Sequence, residues 1–114
     1  MNTASPFGLI ALPAIHDYIL TTPQDILYCS SEGNYSSIHL VNGNKIMICK
    51  KLKEIELALS REYFIRVHHS FIINLMHATK FTKRDGWQIR LSNGRSISIS
   101  RSHHAQLMER IQTL

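Results

Sequence analysis

The chain has 114 residues, 44% of them hydrophobic and 18% charged, a size for one domain and a balance that excludes wholesale disorder. No apolar run nears the ~20 residues of a membrane helix, and residues 1–8 lack the basic start and apolar centre of a secretory signal, so a cytoplasmic protein with no membrane partner is expected. The formal charge is +5, spread unevenly: residues 1–49 hold one base, Lys45, against three acids, and residues 50–114 hold twelve bases against five acids. A basic half on a small domain suits a polyanionic partner, because each neutralised phosphate releases a counterion.

Residues 1–8, small and polar, are expected to form a disordered end or the remnant of a tether, with 9–114 as the domain. Beyond them, turn residues interrupt short apolar runs roughly every eight to twelve positions, the rhythm of an all-β domain. A strand over 9–12 stops at Pro13, a second covers 18–20, and Thr22-Pro23-Gln24-Asp25 makes a turn. Residues 26–29 read as a buried strand, and Glu32-Gly33-Asn34 bends the chain. Tyr35, Ser37 and His39 then alternate with Ser36, Ile38 and Leu40, a strand with its Ile38 and Leu40 face inward. Asn42-Gly43 is a hairpin signal joining it to a strand at 45–49.

The period changes over 51–60, where Leu52, Ile55 and Leu59 recur at helical spacing around Lys53, Glu54 and Glu56. Strand character returns at 64–67 and 71–73, flanking His68-His69-Ser70. Residues 78–83 and 87–91 form a hairpin about Arg84-Asp85-Gly86. Another turns at Asn93-Gly94 into Ile97 and Ile99, which alternate with Ser96, Ser98 and Ser100. From Ser102, Leu107, Ile111 and Leu114 recur at the spacing of a closing helix. Two short helices cannot cover so many strands, so a mostly β fold with sheets packed on sheets is expected. Tyr28, Phe64, Phe71, Phe81 and Trp87 fall in apolar alternations and are expected in the core, not as a stacking platform for single strands. Cys29 and Cys49 fall on the expected strands and are read as buried free thiols.

The sequence carries no enzyme signature. Its glycines stand singly at turns, so there is no phosphate-binding loop. His68-His69 and His103-His104 are adjacent pairs, and neighbours on a strand point to opposite faces, so neither pair chelates one ion simply. No metal, cofactor or catalytic residue is expected. What remains is polar residues in the bends: Asn34 and Tyr35 after Glu32-Gly33, His69 and Ser70 inside the apolar stretch 64–73, and Arg101 where the last strand meets the last helix. Ordinary loop residues would look the same. These types nonetheless suit base reading, since Arg donates bidentately to guanine, Asn pairs with adenine, and His donates or accepts at a groove edge. Lys50, Lys51, Ser70, Lys80, Lys83, Arg84 and Arg95 suit phosphates, with solvated surface as the alternative.

Taken in order, these segments resemble the LytTR family, the output domain of many bacterial response regulators. Asp25-Ile26-Leu27-Tyr28 through Glu32-Gly33-Asn34-Tyr35 is similar to its opening motif, and Leu52-Lys53-Glu54-Ile55-Glu56 to its short helix. The run Phe64-Ile65-Arg66-Val67-His68-His69-Ser70-Phe71-Ile72-Ile73-Asn74 resembles its diagnostic Phe-x-Arg-x-His-x-Ser segment, and Ser92-Asn93-Gly94 with 97–101 its closing hairpin and Ser-Arg. The resemblance spans 9–114. It implies an elongated stack of small β-sheets whose inter-strand loops enter successive major grooves of double-stranded DNA and bend it. It further implies base contacts from Asn34 or its neighbour Tyr35, from His69 and from Arg101, and binding as two copies on paired short half-sites. An upstream receiver domain or sensor kinase system is implied as signalling partner. Two positions depart from the family: His69 stands where Arg is frequent, and Ser30 where Glu is common. The alternatives are a protein-interaction module of the same fold without DNA binding, and an RNA-binding β domain; steep salt dependence and preference for duplex separate them.

Overall fold

The computed structural model describes residues 8–114, so the expected tether lies, but for Gly8, outside the described residues. β1 (Ile10–Pro13) and β2 (Tyr18–Thr21) form a hairpin of their own. β3 (Ile26–Glu32), β4 (Tyr35–Leu40), β5 (Lys45–Ile48), β6 (Phe64–His68) and β7 (Phe71–Asn74) make an antiparallel sheet in the order β5-β4-β3-β7-β6. β8 (Ala78–Thr82), β9 (Gln88–Leu91) and β10 (Ser96–Ser98) make a second one. α1 (Leu52–Ala58) joins β5 to β6, and α2 (Arg101–Glu109) follows β10. Single 3-10 turns at Pro23–Asp25 and Leu75–His77 lead into β3 and β8. The stack measures 43 × 31 × 27 Å, the elongated, mostly β arrangement that the family resemblance implies.

The central sheet buries both faces. On one side Ile26, Cys29, Ile38, Ile48 and Ile72 meet Leu12 of β1 and Leu52 and Ile55 of α1. On the other, Leu27, Tyr28, Val67 and Ile73 meet Ile89, Leu91 and Ile97 of the second sheet and Leu107 of α2. Strand alternation assigns these faces. A register shift between Ile26 and Tyr28 puts the successive residues Leu27 and Tyr28 on the same side.

The hairpins at Asn42-Gly43 and Asn93-Gly94 are one device used twice. The glycine amide donates to the Leu40 or Leu91 carbonyl (3.0 and 2.9 Å), and the asparagine Oδ1 accepts from the amide two residues on. The glycine φ is +93° or +88°, which only a residue without Cβ adopts freely. Asn74, at the end of β7, is fully buried and donates to the Pro23 and Ile26 carbonyls, fastening β7 to the turn before β3.

Four details differ from the sequence reading, besides strand and helix ends that move by one or two residues. Pro13 closes β1 opposite Tyr18 instead of stopping short of it, since a hairpin edge tolerates a residue without an N–H. β3 runs past Cys29 to Glu32, because β4 offers it partners that far. Cys49 is exposed: Ile48 takes the inward position at the end of β5 and the next residue turns outward. Cys29 is buried, and burial pushes its thiol up to about 12. Finally, α2 starts at Arg101 and stops at Glu109, short of Leu114. The Arg110 guanidinium donates to the Glu62 carbonyl (2.8 Å), Ile111 packs on the core from outside the helix, and Leu114 is fully exposed.

Candidate nucleic-acid interface

β3, β5 and β6 run in one direction and finish at one end of the central sheet. There Glu32 faces Tyr35 across the β3–β4 turn, leaving Gly33 and Asn34 as its central residues. Gly33 has φ +67°, and Asn34 is not among the positive-φ residues, the type II′ form that suits strand twist. Asn34 is exposed, and Tyr35 keeps 48% of its surface. The Ser31 amide donates to the Ser70 carbonyl (3.0 Å), which sets the β6–β7 turn, His69-Ser70, against β3 beside the first turn. His69 is exposed and Ser70 half-buried. The Ser100 amide donates to the Val67 carbonyl (2.9 Å) and so brings the exposed Arg101, first residue of α2, to the same place. On the other flank Ser36 Oγ donates to the Lys50 carbonyl (2.7 Å), and Lys50 and Lys51 follow β5 at this edge. Asn34, Tyr35, His69, Ser70, Arg101, Lys50 and Lys51, from separate stretches of chain, thus share one end.

The electrostatics of that end favour an anion. The positive end of the α2 dipole lies there. Three nearby acids are already engaged, Glu32 with Lys45 (3.3 Å), Glu54 with Lys50 (4.0 Å) and Glu56 with Arg66 (2.9 Å). His103 Nδ1 lies 2.6 Å from Ser100 Oγ, and burial, then the Arg66 cation, holds its imidazole below the usual range.

The remaining sequence candidates lie elsewhere. Lys80 and Lys83 border a shallow groove of about 480 Å³ on the second sheet, with Arg84, Gln88 and Arg90. Lys80 faces Arg90 across the strands, a like-charge pair that a polyanion would relieve. Lys83 lies 5.8 Å from the Trp87 ring, which stacks on Phe81 at 4.7 Å. The Ile99 amide donates to the Trp87 carbonyl (2.9 Å), so this hairpin abuts the start of α2. Arg90 lies on a strand and not in a bend, and its place between the inward Ile89 and Leu91 marks it as outward-facing.

Arg95 belongs to neither group. Its guanidinium lies 5.3 Å from the Tyr28 ring, and Tyr28 stacks on His39 at 4.0 Å. Ser30 Oγ is 2.9 Å from His39 Nε2, and Glu32 accepts from Ser37 (2.9 Å) and Lys45 (3.3 Å). Burial, then the Arg95 and Lys45 cations, holds His39 down at about 4. The Ser37 hydroxyl leads the groups that keep the Glu32 carboxyl low, and burial raises the Tyr28 phenol. Among the described residues no three of His, Cys, Asp and Glu are placed to hold one ion, and no helix is long and apolar enough to cross a membrane.

A family model described as LytTr DNA-binding domain matches residues 16–112. The CO-responsive transcriptional regulator RcoM of Rhodospirillum rubrum is 35% identical over 60 residues, 53% of this chain and 25% of that protein. The heme-containing CO-sensing transcriptional regulator RcoM 1 of Paraburkholderia xenovorans is 29% identical, covering 95% of this chain and 42% of its own length. The sensory transduction protein LytT of Enterococcus faecalis is 32% identical, with 81% and 38% covered. This chain therefore spans 25–42% of the length of these relatives. A solved LytTr DNA-binding domain from Bacillus cereus has the same fold, with TM-score 0.78 over 90% of this chain and 94% of that one at 19% identity.

Proposed function

This chain belongs to the LytTr DNA-binding domain family, and from that premise we propose that residues 9–114 regulate transcription by reading double-stranded DNA with the β3–β4 turn, the β6–β7 turn and the start of α2. A major groove about 12 Å wide admits a two-stranded turn edge-on. In this reading Asn34 and Tyr35 enter with the first turn, His69 with the second and Arg101 beside it, each at a base edge. Lys50, Lys51 and Ser70 flank them and meet phosphates. Lys80 and Lys83 meet the backbone where the duplex passes the second sheet, joined by Arg84 and Arg90. Arg95, held over Tyr28, reaches a phosphate only if the duplex also follows that side of the sheet. Two copies occupy paired short half-sites in the bacterial cytoplasm, under a receiver domain or sensor kinase system. The domain binds and performs no catalysis.

The observation that carries this reading is the convergence of Asn34, Tyr35, His69 and Arg101 through the Ser31–Ser70 and Ser100–Val67 bonds. Strands set side chains at a fixed spacing, so residues at one sheet end can address neighbouring bases together. Selection of bound duplexes from a random pool, at stated salt, tests it. A repeated pair of short motifs, with affinity falling steeply as salt rises, is expected. Recovery of single-stranded RNA over duplex, or binding indifferent to salt, would overturn it.

A further inference from the structure

The β6–β7 turn is gripped by one guanidinium. Arg66 lies within β6, its side chain only 16% exposed. Its Nε donates to the His68 carbonyl (2.9 Å), its Nη2 to the His69 carbonyl (2.6 Å), and its Nη1 to Glu56 Oε1 of α1 (2.9 Å). All three nitrogens are therefore engaged, two on consecutive carbonyls of the turn and one on the helix behind it. A register shift between Arg66 and His68 curls the strand here, so that the side chain can fold forward onto its own chain. The grip is chemically particular, because a planar fork with donors in fixed directions can hold two carbonyls and a carboxylate at once. A single ammonium on a flexible stem cannot hold all three in this geometry.

Resting on the reading of His69 as a base contact, we propose that Arg66 is a positioning residue for DNA recognition, anchored on α1 through Glu56. Fixing the His69 carbonyl fixes its peptide plane, and with it the direction in which the imidazole leaves the turn. A side chain that reads a base must be held within about 0.5 Å of its working place, which an exposed turn does not achieve by itself. The Ser70 amide, donating to His68 Nδ1 (3.0 Å), and the Ser31 amide, donating to the Ser70 carbonyl, complete the frame that Arg66 closes from below. Arg66 itself does not read DNA: each of its nitrogens is already bonded within the domain and its side chain is mostly covered.

The test compares Arg66→Met, Arg66→Lys, Glu56→Gln and His69→Ala on the selected duplex and on duplexes with one base pair changed, across a salt series. Amide hydrogen exchange of the free proteins is followed alongside. Arg66→Met is expected to lose about tenfold in discrimination at the same base positions as His69→Ala, and to add nothing in the His69→Ala background. Its salt slope should match the parent, and exchange should quicken at Ser31 and Ser70 before the rest of the sheet. Arg66→Lys should not rescue it, and Glu56→Gln should show a smaller loss at the same positions. Should Arg66→Met fail to fold, the lysine and Glu56→Gln variants carry the comparison. A salt slope lower by about one unit would make Arg66 a phosphate contact and overturn the proposal. So would faster exchange with discrimination intact while His69→Ala loses it, which leaves the base-contact reading standing. If His69→Ala itself keeps the parent's base preference, that earlier reading has failed and Arg66 has no base contact to position.

Discussion

Replacing Asn74 with Ala removes three hydrogen bonds made by a fully buried side chain. Asn74 is 0% exposed, its Nδ2 donates to the Pro23 and Ile26 carbonyls at 2.8 Å each, and its Oδ1 accepts from the Met76 amide at 2.9 Å. A methyl group satisfies none of them. The Pro23 carbonyl keeps the Ile26 amide as a partner, so its share of the loss is about 0.5–1 kcal/mol. The Ile26 carbonyl and the Met76 amide cost roughly 1–2 kcal/mol each. With the void left by the amide, the total is about 3–6 kcal/mol, a large part of the ~5–15 kcal/mol that holds such a domain. Asn74→Asp should cost more near pH 7, where a carboxylate would face two carbonyl oxygens. It should cost less near pH ~4, where the protonated acid can donate to one of them. Urea unfolding followed by circular dichroism gives both quantities from the midpoint and slope. Asn74 closes the end of β7 opposite to the His69 turn, so whatever protein remains folded should bind the selected duplex like the parent. A loss below about 1.5 kcal/mol for Ala, or an Asp variant that is no worse at neutral pH than in acid, would refute this account of the site.

Arg101→Ala should cost about 1–3 kcal/mol of specific affinity, with discrimination lost at one base position and the circular dichroism unchanged; parent-like affinity would remove Arg101 from the readers. Lys50, Lys51, Lys80 and Lys83, changed singly to Ala, should each lower the salt slope by roughly one unit where the lysine meets a phosphate, on selected and scrambled duplexes alike. Four untouched slopes would mean that the basic face lies elsewhere. His39 is held at about 4 in the fold against its ordinary 6.5, so between those values the unfolded chain binds more protons and stability rises with pH, levelling above 6.5. The shift corresponds to at most ~3–4 kcal/mol, or about 1–2 kcal/mol once solvent screening of the half-buried ring is allowed for. His39→Gln should flatten that rise in urea titrations from pH ~4 to ~7, and an unchanged rise would assign it to another group.

Much of this molecule is written in segments that can be read one at a time. Alternation such as Ser36-Ser37-Ile38-His39-Leu40 determines a strand and its inward face, and Asn-Gly at 42–43 and 93–94 determines the reversals. The run from Phe64 to Asn74 carries the family resemblance, and the family match over 16–112 agrees with it. The candidate bends at 34–35, 69–70 and 101 stand out because polar types interrupt apolar stretches there. That these bends share one end is a different kind of fact. It follows from the pairing of Cys29 with Ile72 and from the Ser100–Val67 bond, between segments far apart along the chain. The grip of Arg66 on the turn ahead, the outward turn of Cys49, and the bond from Arg110 to Glu62 that accompanies the end of α2 are of the same kind. So is His39, whose place beside Tyr28 and Ser30 of β3 and near Arg95 of the β9–β10 turn comes from two other elements. Side-chain periodicity belongs to a single segment and decides which face is buried. Which strand lies alongside is decided by how all the buried faces fit together, a free energy summed over the whole core.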